Sequence, residues 1–291
     1  MARRSCSGFT LVEMAVVVVI MGLVMMTVLP ALNTVRSANQ LSLTQSNLRS
    51  LMLATAAYVQ ANGCLPCPAV PGGTNKNFGR VGYYTGEDTP SPPIACGDCS
   101  SAPQGIPPFA SLGIPASTAH DGWGHWITMR VDPALTNPDP VFVPPTASCT
   151  ADDVSMGRYG CTVVGIGSYK GLCKAGLSAA NRVVVTTPKG GGSQEAAVIF
   201  VSHGQAGYGS YVATPKKVGD SLSFPTTYAA CSPTSGFARC NADNNAQFYD
   251  AAIVIDNSSK YTYDDVLAYA DRNTLVSMFG NGACNTTWSS P

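Results

Sequence analysis

Gly8-Phe9-Thr10-Leu11-Val12-Glu13 opens an apolar run that continues to about Leu32, with Glu13 as its one carboxylate. The run is long enough to span a bilayer, since about 20 residues suffice. A carboxylate within a span costs free energy, roughly 2.5–3.5 kcal/mol at the helix centre and less toward the interface, so it normally has a partner. Arg3 and Arg4 precede the run, and the next charge after Glu13 is Arg36. The positive-inside rule then leaves the N-terminus in the cytoplasm. A secretory signal is removed after its apolar core, at small residues. A cut after Gly8 leaves the helix attached instead. The alternative is a plain signal anchor with Glu13 at the headgroup level.

Beyond residue 63 about 230 residues remain, enough for one large or two small domains. Formal net charge is zero and charged residues make up 12% of the chain, which removes any electrostatic case for nucleic acid or for an acidic partner. With 29 glycines and 21 prolines, much of the backbone is expected in loops.

The helix should continue past the span. Leu41, Leu48, Met52, Thr55 and Val59 recur at three-, four- and seven-residue steps as one apolar stripe, and Asn62-Gly63 supplies a stop. From Phe9 to Gly63 at 1.5 Å per residue this is a helix of roughly 80 Å. The proline- and glycine-rich section 64–120 excludes regular helix or central strand and suits a disulfide-pinned wrap over the helix. Strands are expected at 126–131, 163–166, 182–187, 196–201 and 251–255, between Gly, Ser and Asn clusters. A short helix is expected from Asp264 and Asp265 to about Phe279, acidic residues suiting its first turn.

Of eleven cysteines, Cys6 lies in the segment before Gly8. The other ten are Cys64, Cys67, Cys96, Cys99, Cys149, Cys161, Cys173, Cys231, Cys240 and Cys284. An even set outside the cytoplasm reads as up to five disulfides of undetermined connectivity. The alternative is a zinc ribbon from Cys64-x-x-Cys67 and Cys96-x-x-Cys99, whose intervening stretch exceeds the usual spacing. No βαβ pattern surrounds either pair to suggest a thioredoxin-like site, and no His follows to suggest haem attachment.

The N-terminal segment resembles the type IV prepilin family of pilins, minor pilins and type II secretion pseudopilins. The match comprises Arg3, Arg4, Gly8, Phe9, the Thr10-Leu11-Val12-Glu13 tetrad, Gly22 and Pro30, in the family's order and spacing. The resemblance implies cleavage after Gly8 by a prepilin peptidase and methylation of the new amine of Phe9. It also implies assembly through the helix, with Glu13 paired to a Phe9 amine so that it polices register. Gly22 and Pro30 would loosen the helix locally, because proline removes a backbone hydrogen bond. A group of prepilin-like proteins of Gram-negative bacteria is similar further along the chain. The matching elements are Leu65-Pro66-Cys67-Pro68, Leu112-Gly113-Ile114-Pro115, Asp121-Gly122-Trp123-Gly124, Ser202-His203-Gly204 and Asp264-Asp265. Phe109 stands where that pattern carries tryptophan.

Ser202-His203 with Asp264 or Asp265 invites a catalytic triad, but adjacent residues of a strand face opposite sides and no Gly-x-Ser-x-Gly elbow is present. His120, His125 and His203 lack the spacing of one helical face. A structural calcium, frequent in pseudopilins, would have Asp250, Asp256, Asp264 and Asp265 as candidate ligands; the competing reading is a helix cap at Asp264.

The expected architecture is α+β and pilin-like, with a leader at 1–8, a transmembrane and polymerisation helix at 9–32 and its periplasmic half at 33–63. A disulfide-rich, antiparallel-sheet, loop-rich head follows at 64–291. The expected function is a non-enzymatic minor pilin or pseudopilin, first single-pass in the inner membrane and then in a pilus or pseudopilus. Its expected partners are other pilin subunits, the prepilin peptidase and the inner-membrane assembly platform, with no nucleic acid. A pilus-borne adhesin and a membrane-anchored periplasmic enzyme are the rivals.

Overall fold

The computed structural model describes residues 11–62, 64–71, 78–81, 97, 99–100, 102–136, 183–187, 192–211, 241–242, 246–253 and 263–278. The side chains of 27–33, 134, 272, 273 and 276 lie outside that set. The chain divides into two compact units, 1–42 and 43–291.

One helix, α1 (Leu11–Asn62, 52 residues), supplies all described residues of the first unit and enters the second. Within the first unit every residue from Leu11 to Met26 is exposed, and Leu41 is half-buried. Among the described residues no helix is long and apolar enough to cross a membrane; the described side chains of the apolar run stop at Met26. The helix continues through Gly22 and Pro30.

In the second unit the predicted stripe is buried at Leu48, Met52, Thr55 and Val59, widened by Leu51 and Ala56. Each large apolar side chain so buried contributes about 1.5–3 kcal/mol. The helix stops at Asn62 as expected, Asn62 Nδ2 donating to Tyr58 O (2.9 Å).

The stripe packs on a four-stranded antiparallel sheet. Its strands are β1 (Gln104–Gly105), β2 (Thr128–Val131), β5 (Val198–Ser202) and β7 (Val266–Ala270), in the order β1-β2-β5-β7. Side chains alternate as strand geometry requires. Val198, Phe200, Met129, Val131 and Ala270 join the helix cluster. Ile199 and Val201 face the other way, into a cluster with Val183, Val185 and Phe248. Those residues belong to a second sheet of β4 (Gly192–Ala196), β3 (Val183–Thr187) and β6 (Gln247–Tyr249), in the order β4-β3-β6. Covered on both faces, β5 is buried at all five positions, which explains its apolar run Val198–Val201.

Three expectations need correction. The sheets are not purely antiparallel, since β3 and β6 pair in parallel. The strand expected at 251–255 is β6 at Gln247–Tyr249, because Phe248 fills the inter-sheet cluster while Ile253 is exposed. The helix expected from Asp264 is the strand β7 followed by α2 (Arg272–Ser277), capped by Asp271 Oδ1 accepting from Thr274 N (2.7 Å). The strand expected at 163–166 lies outside the described residues.

Candidate functional site

Three short motifs far apart in sequence meet at one buried polar junction in the second unit. Its first node is Asp121, 4% exposed, at the turn into β2. Oδ1 accepts from Trp123 N (3.0 Å) and His125 N (2.9 Å), and Oδ2 accepts from Ser202 Oγ (2.8 Å). An aspartate bonding the backbone two and four residues on is what closes such a turn. The turn is also fixed to α1, because Gly122 N donates to Thr44 Oγ1 (2.9 Å) and Asn47 Nδ2 donates to His120 O (2.8 Å).

Ser202-His203-Gly204 ends β5 and forms the second node. Ser202 sends its proton to Asp121, whereas His203 Nε2 lies 2.9 Å from Thr128 Oγ1 and its Nδ1 3.8 Å from Asp265 Oδ1. Gly204 O accepts from His125 Nδ1 (3.1 Å). The third node is Asp264-Asp265. Asp264 Oδ2 accepts from Ala206 N (2.7 Å), and Asp265 Oδ2 accepts from Asn241 Nδ2 (2.8 Å). Asn241 in turn holds the backbone of Tyr249 on both sides: its Nδ2 donates to Tyr249 O (3.0 Å) and its Oδ1 accepts from Tyr249 N (2.8 Å). Tyr263 OH donates to Tyr249 O as well. Burial, with the Asp265 charge added, raises the Tyr263 phenol far above its ordinary range, so it stays a donor. The junction thus ties α1, the 117–125 turn, both sheets and the start of β7.

This arrangement is built for connection. Ser202 and His203 are 0% and 1% exposed. A nucleophile–base pair needs the serine proton aimed at an imidazole, and here it is aimed at a carboxylate.

His125 carries a raised pKa, first through its bond to Asp121, opposed by partial burial, with the Asp121 charge, Gly204 O and Asp264 adding to the rise. The folded chain therefore binds this proton more tightly than the unfolded chain. The stabilisation is complete below the ordinary histidine value of 6.5 and is lost as pH rises through the folded value. We expect the melting temperature of the second unit to fall across that window. His125→Asn should flatten the step; an unchanged step would assign it elsewhere. Asp264, raised mainly by burial, acts in the acid range instead, its stabilisation fading as pH rises above the ordinary carboxylate value.

The other residues singled out in the sequence do not converge. Asp250 is raised by burial and bonds Tyr269, and Asp256 lies outside the described residues. The His120 ring packs on Trp126, apart from the bonds of His125 and His203. Among the described residues no group of three His, Cys, Asp or Glu side chains is placed to hold a metal. Cys64 is disulfide-bonded, so it is no zinc ligand. Cys67 and Cys99 are buried. Cys67 Sγ makes a hydrogen bond to Gly97 O (3.3 Å) and Cys99 Sγ one to Thr136 Oγ1 (3.1 Å). Cys96, Cys149, Cys161, Cys173, Cys231, Cys240 and Cys284 lie outside the described residues.

Thr44, Asn47, Thr128 and Asn241 were not singled out in the sequence. Single polar residues within helix, strand and loop carry no spacing signal, and only the fold brings them to the junction.

At the other end of the chain, Glu13 stands in the first described turn of α1. A Cβ at Gly22 would meet nothing within 4 Å. Gly8 and Phe9 lie outside the described residues.

Comparison with known proteins places one family signature at this end. Residues 3–29 match the family model of the prokaryotic N-terminal methylation motif, the type IV prepilin-like signal. No curated protein and no solved structure matches the chain.

Proposed function

We propose that this chain is a minor pilin or pseudopilin, cut after Gly8 and assembled through α1 into a type IV pilus or type II secretion pseudopilus. The observation that carries the reading is the methylation motif at 3–29 laid over a helix whose residues from Leu11 to Met26 are all exposed. Contiguous exposed apolar surface of that extent needs a cover. A bilayer before assembly and neighbouring helices after it both provide one. In that cover Glu13 is desolvated, and the methylated amine of Phe9 is the cation offered by the same segment. The partners are then other pilin subunits, the prepilin peptidase and the inner-membrane assembly platform. The second unit is large for a subunit repeated along a filament, which favours the tip or the initiating complex.

Intact mass of the protein from cells with and without the prepilin peptidase tests the processing step. Loss of residues 1–8 with one added methyl group is expected only where the peptidase is present. An uncut chain in both strains would reduce the helix to an anchor. Deleting the gene should then lower filament number or secretion while the major pilin is still made.

A further inference from the structure

The last turns of α1 border a cavity of about 510 Å³ in the second unit, a size within the range of small-ligand sites. Ala54, Ala57 and Ala61 follow one another at steps of three and four, so three methyl groups line its helical side. Leu112 adds an apolar wall. Across from them the chain at 79–81 is held in place, with Ala110 N donating to Gly79 O (2.9 Å) and Val81 N donating to Ser111 Oγ (3.0 Å). Those bonds fix Arg80 and Ser111 beside the apolar surface. Ser111 Oγ serves there as an acceptor, which leaves its proton available to a ligand. Arg80 is exposed, and no hydrogen bond or ion pair engages its guanidinium among the described residues. The described lining contains no carboxylate.

We propose that this cavity binds a small organic monocarboxylate, its apolar body on the alanine side and its carboxylate on Arg80 and Ser111. The competing role for Arg80 is to offset the end of α1, because Asn62 borders the same cavity. A helix C-terminus carries only about half a negative charge, so a full guanidinium charge leaves the rim positive. A ligand cation would be repelled there. A wholly apolar ligand would take water from the guanidinium and give nothing back. A carboxylate matches the guanidinium fork and accepts from the serine hydroxyl as well. Because Arg80 is exposed, the ion pair sets the orientation and adds moderate affinity, and burial of the apolar body supplies the rest. The site does not depend on how the N-terminal segment is processed.

The full chain in a non-ionic detergent is titrated with hydrocinnamate and followed by ligand-observed NMR, with hydrocinnamyl alcohol as the neutral isostere. Saturable binding of the acid in the millimolar range or tighter is expected. Binding should be about tenfold weaker for the alcohol, and about tenfold weaker for the acid on Arg80→Gln, the scale of one lost charge-assisted bond. Added salt should weaken the acid and leave the alcohol unchanged. Ala57→Trp, at an exposed helix position, should fill the cavity and abolish binding of the acid with little change in melting temperature. Equal affinity for acid and alcohol overturns the proposal, as does an acid affinity that survives Arg80→Gln or Ala57→Trp. Uptake of hydrocinnamate that never saturates is partition into the micelle, and overturns it too.

Discussion

Asp121→Ala should destabilise the second unit by roughly 3–5 kcal/mol, because it strands three donors at once and each buried donor left without a partner costs about 1–3 kcal/mol. The donors are Trp123 N, His125 N and Ser202 Oγ, and the last is buried. The loss is a large share of a typical domain stability of about 5–15 kcal/mol. It should also remove the main cause of the raised His125 pKa. Urea unfolding of the detergent-solubilised chain measures the effect, and a change under about 1 kcal/mol would show that the junction is not what joins the turn to β5. Ser202→Ala takes one donor from Asp121 Oδ2 and one acceptor from Gly204 N, two partners where Asp121→Ala strands three, so it should cost less. If Asp121 and Ser202 act on each other as drawn, the double substitution should be no worse than Asp121→Ala alone.

The junction explains why sequence reading reached its motifs and missed their meaning. Asp121, Ser202, His203, Asp264 and Asp265 all stood out, yet they suggested separate roles: a turn, a triad, a calcium loop, a helix cap. Residue type and order were legible. Which side chain faces which was not, because Thr128 and Asn241 enter only through strand register and loop position. The misplaced helix has the same origin. Two acidic residues ahead of an apolar stretch look like a helix start. Here their carboxylates are taken by Ala206 N and Asn241, and Val266–Ala270 pairs with β5 instead. The true cap, Asp271, lies beyond the strand.

Elements with strong periodicity fared better. The α1 stripe at Leu48, Met52, Thr55 and Val59 was readable because one helix face buries against one sheet. The strand expected at 196–201 overlaps β5, Val198–Ser202, and was readable because layers cover both its faces. The parallel β3–β6 pair was not, since parallel pairing is decided by a long crossover that leaves no local mark.

Gly204→Ala and Gly113→Ala should differ sharply, although both glycines sit at positive φ, +56° and +70°. At Gly113 a Cβ meets nothing within 4 Å, so alanine there carries only the left-handed backbone cost of about 1–2 kcal/mol. At Gly204 the same Cβ would stand 2.2 Å from Asp264 O and 2.7 Å from Asp264 Cγ. Neither side can yield cheaply. Gly204 follows Ser202, which pairs with Val266, and Asp264 holds Ala206 N through its carboxylate. Overpacking of about 1–3 kcal/mol then adds to the backbone cost, for a total of roughly 2–5 kcal/mol. The expected result is a folded Gly113→Ala chain with a slightly lower urea midpoint, beside a Gly204→Ala chain that is marginal or unfolded. Equal shifts would mean that the close approach of Ser202-His203-Gly204 to Asp264 gives way under strain, and the junction would then be a contact between movable loops. A shift confined to Gly204 would mark it as the fixed point on which the two ends of the sheet are aligned.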